Sequence, residues 1–105
     1  LRNFIEKYGE NSLSGSAHYW LGEVYLLKKE YRNAALIFAE GYQKFPESFK
    51  APDMLYKLSE SILNIDKKAD SCSTLIKLIK DFPKNKLVSR ANKKLVDLNC
   101  NFENE

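Results

Sequence analysis

Apolar residues recur every three or four positions along the middle of this 105-residue chain. One such run extends from Ala17 to Tyr25 and a second from Tyr31 to Tyr42, with three charged residues at 28–30 between them. This spacing is typical of amphipathic helices, and the charged break is short enough for a tight turn. The pattern therefore predicts a pair of antiparallel helices, which must stack on a neighbour to bury their apolar faces.

The sequence aligns with itself when it is shifted by 37 residues. The segments KYGENS, KFPESF and DFPKNK fall in register, and the same shift pairs Tyr19 with Tyr56 and Leu21 with Leu58. Self-similarity with a period between about 20 and 50 residues indicates stacked structural repeats. The combined patterns predict helices near residues 1–8, 14–28, 31–45, 51–64, 68–82 and 86–99.

The stretch KFPESFKAPD, residues 44–53, carries two of the three prolines. Pro46 follows the last aromatic residue of a predicted helix, as Pro83 does one period later, and a proline at this point ends the helix. Pro52 falls in the first turn of the next helix, where its missing N–H costs least. The stretch is therefore predicted to join two hairpins of one fold, and not to link two domains.

The period and the residue pattern together resemble the tetratricopeptide (TPR) repeat. A repeat counted from Gly15 places the following residues on signature positions: Leu21, Gly22, Tyr25, Ala34, Phe38 and Pro46. A repeat counted from Pro52 does the same for Leu58, Leu75 and Pro83. The resemblance implies an all-α, right-handed solenoid of stacked antiparallel helix hairpins, with about six helices. It divides a single domain, 1–105, into the second helix of a truncated repeat (1–14), full repeats (15–48 and 52–85), a capping helix (86–100) and a tail (101–105).

A narrower resemblance rests on three short sequence segments: YWLGE at 19–23, KAPD at 50–53 and LYKL at 55–58. These are similar to the C-terminal TPR domain of the YbgF/CpoB family of Tol-Pal system proteins. Membership would imply a non-catalytic periplasmic adaptor that binds TolA and coordinates peptidoglycan synthesis with outer-membrane constriction during cell division. Its partners would be TolA-like proteins and the peptidoglycan synthase complex. In that family an N-terminal coiled coil precedes the TPR domain and forms a homotrimer.

Two other functions remain open at this point. One is another TPR adaptor of the bacterial envelope, such as a BamD-like outer-membrane assembly lipoprotein. The other is a purely structural domain that supports an oligomer. The usual sequence of the BamD-like family lacks the KAPD that this chain carries at 50–53, which favours the first function over this alternative. The structural role would be favoured if substitutions such as Tyr19→Ala with Tyr56→Ala left all partner binding unchanged.

In stacked TPR hairpins the first helix of each pair lines a concave face, and this face is the predicted partner-binding site. The predicted residues are Ser16, Tyr19, Glu23, Leu26, Leu27, Asp53, Tyr56, Glu60, Leu63, Asn64, Arg90, Lys93 and Asp97. Tyrosines offer contact area with a polar tip, and the flanking charges would orient a bound segment. The alternative is that Tyr19 and Tyr56 brace neighbouring repeats and that the charges are solvated.

The cysteines, Cys72 and Cys100, fall early in one predicted helix and at the end of the next. Antiparallel neighbours bring such positions together, and the oxidising periplasm that the resemblance implies would favour a disulfide. The alternative is two free thiols, with Cys72 filling the small position that Ala35 occupies one repeat earlier. Two thiolates without a nearby histidine make a poor metal site.

Seven basic residues lie between positions 77 and 94, against the single acid Asp81: Lys77, Lys80, Lys84, Lys86, Arg90, Lys93 and Lys94. Nucleic-acid binding is disfavoured, because no recognised motif or interleaved aromatic residues accompany them. A solvated face or an acidic protein partner fits better. No apolar run approaches the roughly 20 residues that cross a bilayer, so direct membrane insertion is not expected.

His18 is the one histidine of the chain. It is predicted to have a packing or exposed role, because no nucleophile and base can be assembled around it. No phosphate-binding loop or metal motif accompanies it, so the sequence predicts no enzyme activity, no cofactor and no metal. Trp20 and Phe38 have the spacing of core residues.

Overall fold

The computed structural model describes residues 12–100, and this part of the chain contains five helices and no strand. The helices are α1 (Ser12–Leu27), α2 (Tyr31–Lys44), α3 (Ala51–Leu63), α4 (Lys68–Asp81) and α5 (Leu87–Asp97). Each packs against the next along the chain, and α1, α3 and α5 also lie side by side in one row. The predicted all-α stack of helix hairpins is therefore confirmed.

The boundaries of all five described helices agree with the predicted ones to within two residues. The predicted helix at 1–8 and the tail at 101–105 lie outside the described residues, and the proposed division of the chain into repeats stays a prediction. Within residues 12–100, no helix has the length and apolar character needed to cross a membrane.

The turn that ends α2 recurs at the end of α4, 37 residues later. Phe45 has φ and ψ of −131° and 59°, and Phe82 has −132° and 59°. Each donates its backbone N–H to the carbonyl four positions earlier, at 2.9 Å. Pro46 and Pro83 follow directly and cannot continue the helix, which confirms the predicted stops.

The entry into the following helix repeats as well. The Ser48 hydroxyl accepts the backbone N–H of Lys50 at 3.1 Å, just before α3. The Asn85 side-chain carbonyl accepts the N–H of Leu87 at 2.9 Å, at the start of α5. Because serine and asparagine both cap backbone N–H groups two residues ahead, the two turns keep one geometry with different residues.

The helices α1, α3 and α5 all end in the same left-handed turn. Lys29, Asp66 and Asn99 have φ of 62°, 63° and 57°. The N–H of each following residue bonds to the carbonyl five positions back, at 2.9, 3.2 and 3.0 Å. This is the Schellman arrangement, in which glycine is the residue best suited to the left-handed position.

Replacing Lys29 by glycine is therefore expected to raise the free energy of unfolding by about 0.5–1 kcal/mol, since a side chain in this conformation is strained. Urea denaturation followed by circular dichroism measures the change. Lys28 is not among the residues with positive φ, so the matched variant Lys28→Gly is expected to give no gain. Equal effects of the two substitutions would contradict the assignment of the strain to Lys29.

The core of the first hairpin forms around Phe38 of α2, which is fully buried as predicted. It packs with Tyr19, Ala34 and Met54. The Phe38 ring lies directly against Gly22 of α1, where any added side chain would collide with it. The close approach of α1 and α2 therefore depends on glycine at this position.

His18 is also fully buried, so the packing role is confirmed over the exposed one. Its Nδ1–H donates to the carbonyl oxygen of Ser14 at 2.9 Å, and its ring lies 5.5 Å from that of Phe45. Its Nε2 lies 3.5 Å from the Glu40 carboxylate. Gly41 of α2 leaves room for the histidine, because a Cβ there would lie 2.7 Å from that of His18.

A disulfide joins Cys72 of α4 to Cys100, with the two Cα atoms 5.9 Å apart. Cys100 follows Asn99 in the left-handed turn after α5, and this turn directs the chain back toward α4. The predicted disulfide is thus confirmed over two free thiols. It fastens the last described helix to the rest of the stack.

Candidate binding groove

The main candidate site is a groove of about 480 Å³ between α1 and α3, referred to below as the α1–α3 groove. Its lining residues are Trp20, Glu23, Val24, Leu26 and Leu27 of α1 and Lys57, Glu60 and Asn64 of α3. Trp20, Val24 and Leu27 form one stripe on α1, and 54%, 41% and 85% of their surfaces are exposed. Large apolar side chains gathered at a surface mark an interaction site more often than a solvated face.

A chain of polar contacts crosses the groove. Lys57 Nζ lies 3.4 Å from Glu23 Oε1 and 3.6 Å from Glu60 Oε1, so it links α1 to α3. The Tyr19 hydroxyl donates to Glu23 Oε2 at 3.2 Å. Burial, and then the neighbouring Glu23 carboxylate, raise the pKa of Tyr19 to about 12. Tyr19 therefore stays protonated and keeps Glu23 turned toward Lys57.

An aromatic cluster with a lysine lies at the Trp20 side of the groove. Lys50 Nζ is 4.6 Å from the centre of the Tyr19 ring, 5.4 Å from that of Trp20 and 5.9 Å from that of Phe49. Trp20 and Tyr19 meet edge to face, with ring centres 5.0 Å apart. Such contacts hold an ammonium group in place without neutralising it.

The neighbouring seam between α3 and α5 brings a basic residue of α5 over an aromatic ring of α3. The Arg90 guanidinium lies 5.9 Å from the centre of the Tyr56 ring. Burial and then Glu60 raise the pKa of Tyr56, while Arg90 acts against them. Lys93 pairs with Asp97 on α5 at 3.5 Å, an exposed contact that contributes little to stability.

Part of the predicted partner-binding face lies in this groove. The predicted residues found in its lining are Glu23, Leu26, Leu27, Glu60 and Asn64. The remaining ones are absent from its lining and belong to α1, α3 or α5: Ser16, Tyr19, Asp53, Tyr56, Leu63, Arg90, Lys93 and Asp97. Only 8% of Tyr19 is exposed, so this residue braces the first core and offers a partner little surface. Whether the face binds a partner stays a prediction.

Four residues of this region were missed or misplaced by the sequence pattern. The prediction that Trp20 is a core residue is wrong, since more than half of its surface is exposed. Val24 and Lys57 line the groove, and Lys50 lies beside it, although none was predicted to do so. The spacing of Trp20, Val24 and Leu27, four and three residues apart, is the signal that could have found the stripe.

The basic segment 77–94 is partly neutralised. Lys77 pairs with Asp81 at 3.1 Å, and Asp81 accepts a hydrogen bond of 2.7 Å from the Tyr42 hydroxyl. The bonds from Tyr42 and then Lys77 lower the pKa of Asp81. Because Tyr42 belongs to α2 and Asp81 to α4, these contacts connect consecutive repeats on the side away from the α1–α3 groove.

A second apolar depression, of about 450 Å³, lies between α2 and α3. Leu36, 68% exposed, stands at its rim, and Ala35 lies in its lining. One period later the position of Ala35 is occupied by Cys72, so the disulfide closes the equivalent place between α4 and α5. Among residues 12–100, no three His, Cys, Asp or Glu side chains are grouped so as to hold a metal ion.

Residues 53–85, which span most of α3, all of α4 and the turn that follows, match the sequence profile of the tetratricopeptide repeat. A comparison with curated proteins finds no match for the chain. The described helices form stacked hairpins, and the same turns recur one period apart on either side of the matched repeat. The chain therefore contains a tetratricopeptide repeat within an all-α fold of the TPR type.

Proposed function

We propose that this chain is a non-catalytic adaptor that binds a segment of a protein partner in the α1–α3 groove. The observation that carries the proposal is the exposed stripe of Trp20, Val24 and Leu27, which faces the charged side chains of Lys57 and Glu60 across the groove. Binding hot spots combine such large apolar anchors with a polar surround. Repeats of the matched type commonly bind proteins, which fits this use of the groove.

We further propose that the adaptor belongs to the Tol-Pal envelope system, binds TolA, and coordinates peptidoglycan synthesis with outer-membrane constriction at division. This placement is supported by the resemblance of the segments YWLGE and KAPD to the YbgF/CpoB family. The disulfide between Cys72 and Cys100 favours an oxidising compartment such as the periplasm. In this proposal the full protein is a homotrimer held by an N-terminal coiled coil, as the family resemblance implies.

A structural, oligomer-supporting role is the second candidate, and it fits the burial of Tyr19, which leaves the predicted binding face with one contact residue fewer. This residue, expected on the binding face, serves instead to brace α1 against the core of the first hairpin. A BamD-like adaptor is supported less well, because KAPD at 50–53 is not part of the usual sequence of that family.

The test is the affinity of the purified protein for the periplasmic part of TolA, measured by titration calorimetry. The double variant Trp20→Ala with Leu27→Ala is expected to bind about 30-fold more weakly or worse, since loss of an aromatic anchor costs about 2 kcal/mol or more. Both side chains are largely exposed, so the fold is expected to survive.

Leu36→Ala supplies the matched control, because Leu36 is an exposed leucine on the α2–α3 side and not in the groove. It is expected to leave the affinity unchanged. If the wild-type protein binds TolA and neither variant weakens it, the partner lies elsewhere and the groove assignment is wrong. If the wild-type protein does not bind TolA, the Tol-Pal placement fails.

A further inference from the structure

Lys50 carries a positive charge that has no carboxylate partner among residues 12–100. The other lysine of this region, Lys57, lies between two carboxylates within 3.6 Å. Lys50 Nζ instead lies over the faces of three aromatic rings, at 4.6 to 5.9 Å from their centres. Ring faces attract a cation but leave its charge available to an anion.

The Lys50 ammonium group lies against the three rings with no partner bound. The backbone of Lys50 is anchored by its N–H bond to Ser48 Oγ, at the start of α3. The nearest ring, that of Tyr19, is buried and held by Glu23. A charged group that is already ordered loses less freedom on binding, so it contributes more to affinity than a free surface lysine.

Trp20 connects this lysine to the apolar part of the groove. Its ring lies 5.4 Å from Lys50 Nζ, and the same side chain lines the groove together with Val24 and Leu27. A partner that places an apolar side chain against Trp20 therefore brings its neighbouring residue close to Lys50. Within the groove, Glu23 and Glu60 outnumber Lys57, and this excess of negative charge disfavours a carboxylate there.

We propose, resting on the protein-binding function above, that the site selects a partner segment in which an acidic residue neighbours an apolar one. The apolar side chain packs on Trp20 in the α1–α3 groove, and the carboxylate pairs with Lys50. The charge of Lys50 then favours an acidic residue in the bound segment. It also orients the segment, so that this residue lies outside the groove and near the first turn of α3.

The test uses three alanine-based synthetic peptides with two leucines one helical turn apart. One turn before the first leucine they carry Glu, Gln or Lys, which have nearly the same helix propensity. Trp20 is the sole tryptophan of the chain, so intrinsic fluorescence reports binding at the site itself. The Glu peptide is expected to bind about threefold more tightly than the Gln peptide at low salt, the size of an exposed ion pair, and the Lys peptide more weakly than both.

Two variants of Lys50 test whether this residue causes the preference for the Glu peptide. Lys50→Gln is expected to abolish the preference, and Lys50→Glu to reverse it in favour of the Lys peptide. Lys84→Gln removes the same charge from the turn between α4 and α5, outside the groove lining, and is expected to keep the preference. High salt is expected to reduce the preference in the wild-type protein, since it screens exposed charges.

Equal affinities of the three peptides for the wild-type protein, or a preference that survives Lys50→Gln, would overturn the inference. So would the absence of any fluorescence change with the Glu peptide. None of these results touches the Tol-Pal placement, which depends on the binding of TolA, or the groove assignment, which depends on the loss of that binding in the Trp20 and Leu27 variant. The two failures are therefore distinguishable.

Discussion

Replacing Phe38 by alanine is expected to lower the free energy of unfolding by about 3–5 kcal/mol, the usual cost of truncating a fully buried phenylalanine. No part of this side chain is exposed, and it packs with Tyr19, Ala34 and Met54, which come from three different helices. The cavity would therefore weaken α1, α2 and α3 together. Urea denaturation followed by circular dichroism gives the difference.

Phe49→Ala is the matched control, because 84% of Phe49 is exposed in the turn before α3. The same change of residue type is expected to alter stability by less than about 0.5 kcal/mol there. A small loss at Phe38, or equal losses at both positions, would contradict the packing of the first hairpin.

The two repeats fill the same place with different residues. Phe38 lies against Gly22 in the first repeat, whereas one period later Leu75 and Ser59 occupy the equivalent positions, both buried. Leucine is smaller than phenylalanine and serine is larger than glycine, so the two changes compensate in volume.

We therefore expect Gly22→Ser alone to lower the free energy of unfolding by about 1–3 kcal/mol through overpacking. Combined with Phe38→Leu, the loss is expected to be smaller than the sum of the two single losses.

Removing the disulfide by Cys72→Ser with Cys100→Ser is expected to lower the free energy of unfolding by about 3–4 kcal/mol. This is the loss that the chain-entropy description assigns to a loop that joins residues 28 apart. The loop contains α5 and its turn, and α5 contacts α4 and α3 alone among the described helices. The last helix is therefore the element most dependent on the bond.

Denaturation of the wild-type protein with and without dithiothreitol provides the control for this prediction. The reductant is expected to lower the stability of the wild-type protein to that of the double serine variant and to leave the variant unchanged. A wild-type protein as stable with reductant as without it, although its thiols are shown to be free, would contradict a stabilising role for the bond.

The helices and turns could be predicted from the sequence because their signals are local. Pro46 and Pro83 end helices through their own backbone chemistry, and the apolar spacing of α2 and α4 leaves one face for the core. The 37-residue repeat then predicts the same turn at two places in the chain, after α2 and after α4. Even the meeting of Cys72 and Cys100 follows from two helices that run antiparallel.

The site could be predicted only in part, since its residues depend on neighbours far along the chain. Apolar residues occur on several faces of α1, so spacing alone could not decide that Trp20 points outward and Tyr19 inward. Lys57 joins the groove because Glu23 lies opposite on α1. Lys50 belongs to a turn, where no periodicity applies, and gains its role from rings on another helix.

The most direct test of partner binding in the α1–α3 groove is an amide NMR titration of the protein with the periplasmic part of TolA. Binding in the α1–α3 groove predicts that the largest shift changes fall on its lining, at Trp20, Glu23, Val24, Lys57 and Glu60. Shift changes confined to α2 and α4, on the opposite side of the stack, would contradict it.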